Sequence, residues 1–396
     1  MFKRSVQENI EQWLFKGKVI VLYGARQVGK TTLSKEILKK YADADKDFAS
    51  GNYSLTDRES PYKYLNCDLI PVRKALEVQD DESLRNYIGA DAKLVVIDEA
   101  QRVENIGLIL KILVDTYPEI QIIATGSSSF ELSNKIKEPL TGRAIQFMLY
   151  PLSIQELSTK YDSYRLDIKL ESLLRFGSYP AIVDESEEVA RTFLETIASN
   201  YLYKDILEFD QVKNSKALFN LLELLALQVG NEVSYQELAS NLDINVATVK
   251  RYIDLLEKCF VVFTLHAFSR NKRKEITKSV KIYFYDVGIR NALIQGFNRL
   301  DMRTDIGSLW ENFCIVERLK YNQANKRYIN KYFWRNYEQK EIDYIEEHDG
   351  FLEGYEFKWG KEARKYRPPK AFVDNYDNAT VKRIDRQNYQ EFLGVV

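Results

Sequence analysis

The chain has 396 residues, of which 45% are hydrophobic and 29% charged, with 57 basic against 58 acidic side chains and a net charge of −1. A single core stops growing at roughly 250–300 residues, so this length calls for two or three domains. The apolar content excludes a disordered chain, and the balanced charge excludes a uniformly basic nucleic-acid binder.

In chain order, "MFKRSVQENIEQWLFKG" patterns as a charged amphipathic helix with no apolar signal core. Residues 1–150 form the first expected domain. From 18 onward, short apolar strands in "KVIVLYG", "LVVIDEA" and "IQIIATGSS" alternate with helical stretches, the pattern of an α/β fold with a buried parallel sheet. Residues 151–225 turn helical, opening with "PLSIQEL" and continuing through "FLETIASNYLYKDIL", which predicts a helical lid. In 226–300, two short helical patterns flank "LDIN" and an apolar strand follows, as in a helix-turn-helix with a wing. In 301–396, the helix "SLWENFCIVERLKYN" precedes the strand-like "KYFWRN", "EIDYIEEHDG" and "FLEGYEFKWG", an α+β unit. Apolar runs such as "CFVVFTL" fall far short of the ~20 residues that cross a bilayer, so no membrane partner is expected. Cys67, Cys259 and Cys314 are odd in number and widely spaced, which fits neither a disulfide framework nor paired metal ligands. Together these features predict a cytoplasmic protein.

The strongest chemical signal is "KVIVLYGARQVGKTTL". A strand feeding Gly-x-x-x-x-Gly-Lys-Thr presents backbone N–H groups to phosphates, so Gly24, Ala25, Arg26, Gln27, Val28, Gly29, Lys30, Thr31 and Thr32 form the candidate cradle. Lys30 would reach the β and γ phosphates of ATP, and Thr31 would hold Mg2+. "LVVIDEA" then puts Asp98 and Glu99 at the carboxyl end of a buried strand, Asp98 for the metal and Glu99 to polarise the attacking water. An acidic pair there also suits a helix start, a reading weakened by the loop upstream. At the end of "IQIIATGSSS", Ser127 or Ser128 either touches that water or the γ phosphate, or caps a helix. Arg143 in "LTGRA" is a candidate arginine finger, which predicts self-association in a ring.

In "NVATVKRYIDLLE", Val246, Val249, Ile253 and Leu256 recur at helical spacing and predict a core face. Asn245, Thr248, Lys250 and Arg251 are left outward, where a recognition helix meets DNA. Arg270, Lys272, Arg273, Lys274, Lys278 and Lys281 follow as a cluster suited to phosphate neutralisation, although a lysine-rich solvated loop explains them equally. In "YEFKW", Glu356 and Lys358 alternate with Tyr355, Phe357 and Trp359, as on any half-exposed strand. Asp343 lies in the preceding strand-like segment, and Glu311 sits on an apolar helix where an unpartnered carboxylate is costly. Glu311, Asp343 and Glu356 converging on one sheet end would bind Mg2+, with Lys358 steadying charge in phosphodiester hydrolysis.

"YGARQVGKTTL", "LVVIDEAQRV", "IIATGSSSFEL", "LTGRAIQFMLYPLSIQEL" and "RFGSYPAIV" resemble the AAA-type ATPases of bacteria and archaea that carry a distinct carboxyl-terminal domain. The resemblance implies the P-loop class with an additional strand and a catalytic glutamate, with Ser127 in the sensor position and Arg143 as the finger. Ala25 stands where proline is usual, a change that leaves the phosphate contacts alone. The carboxyl-terminal residues resemble the restriction-endonuclease-like PD-(D/E)xK fold, with Glu311, Asp343, Glu356 and Lys358 filling its four positions. A helicase reading of "DEAQ" and "ATGSS" lacks its second domain. The leading expectation is an ATPase coupled to a DNA-associated terminal module, a nuclease in its strongest form. The alternative is a nucleotide-dependent adaptor that binds a partner protein and cuts nothing.

Overall fold

A computed structural model describes residues 2–45, 60–78, 80–126, 139–201, 214–269, 280–360 and 366–395. The contacts divide the chain into two units, one of Arg4–Tyr150 with Lys258–Phe260, the other of Met1–Lys3, Pro151–Glu257 and Val261–Val396.

In the first unit, β1 (Val19–Tyr23), β2 (Tyr62–Asn66), β3 (Leu94–Asp98), β4 (Gln121–Gly126) and β5 (Ala144–Met148) form a wholly parallel sheet in the order β2-β3-β4-β1-β5. Every residue of β1, β3 and β4 is buried, as expected of parallel strands covered on both faces. Helix Ile106–Thr116 supports one face through Ile106, Ile109, Leu110 and Leu113, packed with Val95, Ile97 and Ile122. Because β4 is inserted between β1 and β3, the carboxyl ends of three neighbouring strands carry the phosphate loop, Thr125 and Asp98.

The second unit has a seven-stranded mixed sheet in the order β12-β11-β10-β9-β7-β8-β6, built from β6 (Glu232–Val233), β7 (Val262–Ala267), β8 (Val280–Phe284), β9 (Asn330–Arg335), β10 (Glu341–His348), β11 (Phe351–Phe357) and β12 (Ala379–Ile384). β10 and β11 form a hairpin turned by Asp349 and Gly350, both at positive φ, the pairing that a two-residue turn of primed type requires. Helices Tyr235–Leu242 and Val246–Lys258 precede the antiparallel β7–β8 pair, with Asp243 in the left-handed region between them. The sequence separates 151–225, 226–300 and 301–396, whereas the contacts gather all three into one unit. The reason is continuity of the sheet: β7 pairs with β8 on one side and, through His266 and Ala267, with β9 on the other. Gly288 lets helix Val287–Leu293, which follows β8, approach the end of helix Ser163–Phe176, since a Cβ there would lie 2.1 Å from the Phe176 carbonyl oxygen.

Candidate functional site

The chain leaves β1 through Gly24, at φ 154°, where a Cβ would sit 2.3 Å from the Leu149 carbonyl oxygen, so only glycine fits. Gln27 (φ 63°) and Gly29 (φ 100°) complete the loop, and helix Lys30–Ala44 begins at once, burying Leu33, Ile37 and Leu38 at helical spacing. Lys30 is buried, and its Nζ donates to the carbonyls of Gly24 (2.9 Å) and Ala25 (2.8 Å), which ties the ammonium to the loop it closes. Arg4, also buried, braces the loop from behind through Nη1 to Val28 O (2.7 Å) and Nη2 to Tyr150 O.

Asp98, at the end of β3, accepts from three hydroxyls. Thr31 Oγ1 (2.8 Å) and the Tyr64 phenol (2.5 Å) share Oδ2, and Thr125 Oγ1 bonds Oδ1. Burial first, and the Asp98 carboxylate second, push the Tyr64 phenol well above its usual range, so it stays a donor. Glu99 turns out of the strand in the left-handed region (φ 52°), its N–H directed to Thr125 Oγ1 (3.3 Å) and its Oε2 held by Gln101 Nε2 (2.5 Å). A cavity of about 330 Å3 opens over these groups, lined by Arg26, Gln27, Gly29, Lys30, Thr31, Thr32, Asp68, Glu99 and Arg102. The donor chemistry fits a nucleotide and its metal: a glycine-built cradle, a lysine, and a hydroxyl already bonded to a carboxylate.

Sequence reasoning placed Lys30, Thr31, Asp98 and Glu99 together, and the structure brings them together. It missed Tyr64, Thr125, Arg4 and Arg102. Thr125 was within reach, being the last polar residue of an apolar strand; Tyr64 becomes visible only once β2 is known to neighbour β3. Ser127 and Ser128 lie outside the described residues. Arg143 is away from these groups, its Nε bonded to Asp115 Oδ1 at 2.6 Å, and both side chains are open to solvent.

Helix Val246–Lys258 buries Val249, Ile253 and Leu256 and exposes Lys250 and Arg251. Asn245 is exposed and Thr248 half-buried, and they bond each other: Asn245 Oδ1 accepts from Thr248 N (2.7 Å) and Oγ1 (2.9 Å), which makes the pair a helix cap. Of the expected basic cluster, Arg270, Lys272, Arg273, Lys274 and Lys278 lie outside the described residues. Lys281 corrects that expectation. It stands on the fully buried interior strand β8, where its Nζ meets Glu311 Oε1 (3.1 Å) and Glu341.

Lys281 thereby belongs to the carboxylate cluster. Tyr283 donates to Glu311 Oε1 (2.5 Å), and burial, reinforced by Asp343, pushes the Glu311 carboxyl up to about 7. Asp343 is buried on β10, accepts from Phe357 N (2.8 Å), and is also shifted upward by burial. Glu356 pairs with Lys358 (2.7 Å), while its buried Oε2 and the nearby Tyr366 hydroxyl have no hydrogen-bond partner among the described residues. Burial, then Asp343, raises Glu356. The four expected residues thus share one electrostatic neighbourhood. Among the described residues, no group of three or more His, Cys, Asp or Glu is arranged to hold an ion. Glu311 Oε1 is engaged by Lys281 and Tyr283. Among the described residues, no helix is long and apolar enough to cross a membrane.

Residues 168–300 and 306–388 match two domains of unknown function, DUF8612 and DUF4143. An uncharacterized protein of Methanocaldococcus jannaschii is 30% identical over 331 residues, 74% of this chain and 65% of the relative, so the chain spans under two thirds of that relative's length. An uncharacterized protein of Mycobacterium tuberculosis is 26% identical over 359 residues, 90% of this chain and 74% of the relative. The AMPPCP-bound DnaA of Aquifex aeolicus (TM-score 0.30, 16% identity, 64% of this chain and 86% of that one) and the Pif1 helicase of Candida albicans (TM-score 0.24, 14% identity, 50% and 48%) score too low for a shared fold to follow. Residues 16–158 match the AAA domain, the stretch that holds the glycine cradle, Lys30, Asp98 and Glu99, and the chain therefore carries an AAA domain at its amino-terminal end.

Proposed function

We propose that the first unit binds and hydrolyses ATP. The observation that carries this is the junction of Thr31 with Asp98 at 2.8 Å, with Thr31 itself lining one cavity together with Lys30 and Glu99. Lys30 and the loop amides hold the phosphates; Glu99 accepts a proton from the attacking water as its oxygen bonds the γ phosphorus and the bond to the ADP oxygen breaks. Thr31 and Asp98 would hold Mg2+, which supplies positive charge to the phosphate oxygens. Ser127 is proposed as the sensor of the γ phosphate. Lys30→Ala is expected to lower the hydrolysis rate by at least about a hundredfold; a variant as fast as the parent ends this reading. Arg143 is proposed to act on a neighbouring subunit's nucleotide in a homo-oligomeric ring. Arg143→Ala should then lower hydrolysis without altering ADP affinity, and light scattering with ATP should show assemblies rather than monomer.

For the second unit we propose a winged-helix module and a restriction-endonuclease-like domain acting on DNA in the cytoplasm. Lys250 and Arg251, exposed on the second helix, support the first part. The unpartnered Glu356 Oε2 beside Asp343 and Lys358 supports the second. Phosphate contacts predict that affinity for duplex DNA falls steeply with salt. Salt-independent or absent binding favours the adaptor reading, in which this unit binds a partner protein. Cleavage is tested by incubating plasmid with Mg2+ or Mn2+ and comparing the parent with Lys358→Ala.

A further inference from the structure

Arg102 and Asp68 line the nucleotide cavity, and Arg102 Nε lies 2.6 Å from Asp68 Oδ1. Arg102 arrives there on the short 3-10 turn Ala100–Arg102 that begins at Glu99, so one tight turn delivers both Glu99 and a guanidinium to the same space. Asp68 follows β2 and is fixed by its own N–H to Asn66 Oδ1 (2.9 Å). The pair is open to water, with 36% of the Arg102 and 53% of the Asp68 side chain exposed. Such pairs hold weakly, because water screens the attraction and ordering two side chains opposes it. A guanidinium in that position readily exchanges one carboxylate oxygen for the paired oxygens of a phosphate, which its planar fork fits. Lys30 is differently placed, being buried and tied to the Gly24 and Ala25 carbonyls.

We propose that Arg102 reads the terminal phosphate of the nucleotide bound to its own chain. It leaves Asp68 when a triphosphate fills the cavity and returns to Asp68 when only a diphosphate remains. The Asp68–Arg102 pair is then an element, separate from Ser127, that distinguishes triphosphate from diphosphate. The inference rests on the nucleotide reading above and adds a discriminating residue to it.

Calorimetric titration of the full chain with Mg2+ and either ADP or a non-hydrolysable ATP analogue tests this without reference to turnover. Arg102→Gln should lower affinity for the analogue about tenfold and change ADP affinity by less than about twofold. Arg102→Lys keeps the charge without the fork and should fall between parent and Arg102→Gln. Asp68→Asn should raise analogue affinity about threefold, a gain absent when it is combined with Arg102→Gln. Equal losses for both ligands, or no loss, would overturn the role of Arg102 while leaving the nucleotide reading intact. A parent chain that binds neither ligand would overturn both.

Discussion

The phosphate loop and the carboxylate cluster handle charge in opposite ways. Around Gly24–Thr31 the cations Lys30 and Arg4 bond backbone carbonyls rather than carboxylates, and Asp98 is surrounded by neutral donors from Thr31, Tyr64 and Thr125. Around Asp343, formal charges face one another in the interior: Lys281 between Glu311 and Glu341, and Asp343 close enough to Glu356 to raise it. Neutral donors around one carboxylate leave its first cation to be supplied from outside, whereas an internally compensated cluster ties charge to the fold itself. Substitutions in the first site should therefore alter ligand handling and spare stability, while those in the second unit should do the reverse.

The sharpest test is Arg318. Its guanidinium is buried and bonds both oxygens of Glu346, which is fully buried, together with the Phe392 carbonyl (2.7 Å) and the Tyr355 hydroxyl (3.0 Å). Arg318→Met leaves the buried Glu346 with only the more distant Arg327 guanidinium (3.6 Å) and the Asn322 amide, and should cost about 3–5 kcal/mol by urea unfolding, with nucleotide affinity unchanged. A cost below about 1 kcal/mol would break the contrast between the units.

Glu311 gives the next effect. Its carboxyl is held near 7 against an ordinary 4.5, so the folded chain keeps a proton that the unfolded chain releases. Stability from this group is full below about pH 4.5 and is lost as pH rises through 7. In EDTA, the parent should lose about 2–3 kcal/mol across that interval, and Glu311→Gln should lack this part of the loss. A parent whose stability rises over the same range would place Glu311 in a more polar setting than its burial implies.

Why one site was readable and the other only partly so follows from what fixes each residue. Gly24, Gly29, Lys30 and Thr31 carry a local signal besides their long-range contacts, since the positive-φ glycines and the helix start that follows them are written in adjacent positions. Tyr64 and Thr125 meet Asp98 because β2 and β4 flank β3, and strand order is carried by no short pattern. Lys281 misled for the same reason. Beside Lys274 and Lys278 it reads as one more surface cation, and only the place of β8 between β7 and β6 in the sheet buries it and makes Glu311 and Glu341 its partners. The strand-like segments on either side of Asp349–Gly350 were legible, but the register against β9 was not, because the pairing shifts between Ile342 and Ile345 and so sets how Asp343 is presented.

Tyr64 sharpens the comparison from the other side. Its phenol shares Asp98 Oδ2 with Thr31, and the Lys35 ammonium lies 4.1 Å from its ring centroid. Tyr64→Phe removes one neutral donor and leaves the ring packing. It should weaken Mg2+-dependent nucleotide binding by about 1 kcal/mol while leaving metal-free binding in place. Equal weakening with and without metal would mean that the hydroxyl supports the loop rather than Asp98.

The smallest effect is expected at Asp115, and its form matters more than its size. Arg143 is held by Asp115 on the solvent side of its own chain. An exposed pair contributes little to stability, so Asp115→Asn should leave the thermal midpoint unchanged. If Arg143 completes a neighbouring subunit's site, releasing it from Asp115 assists only when subunits meet. ATP hydrolysis per chain should then rise by up to about threefold at concentrations where the protein associates, and not at high dilution. A rise by the same factor at every concentration would show that Arg143 acts on its own chain's nucleotide, leaving Arg102 and Arg143 as two cations serving one site.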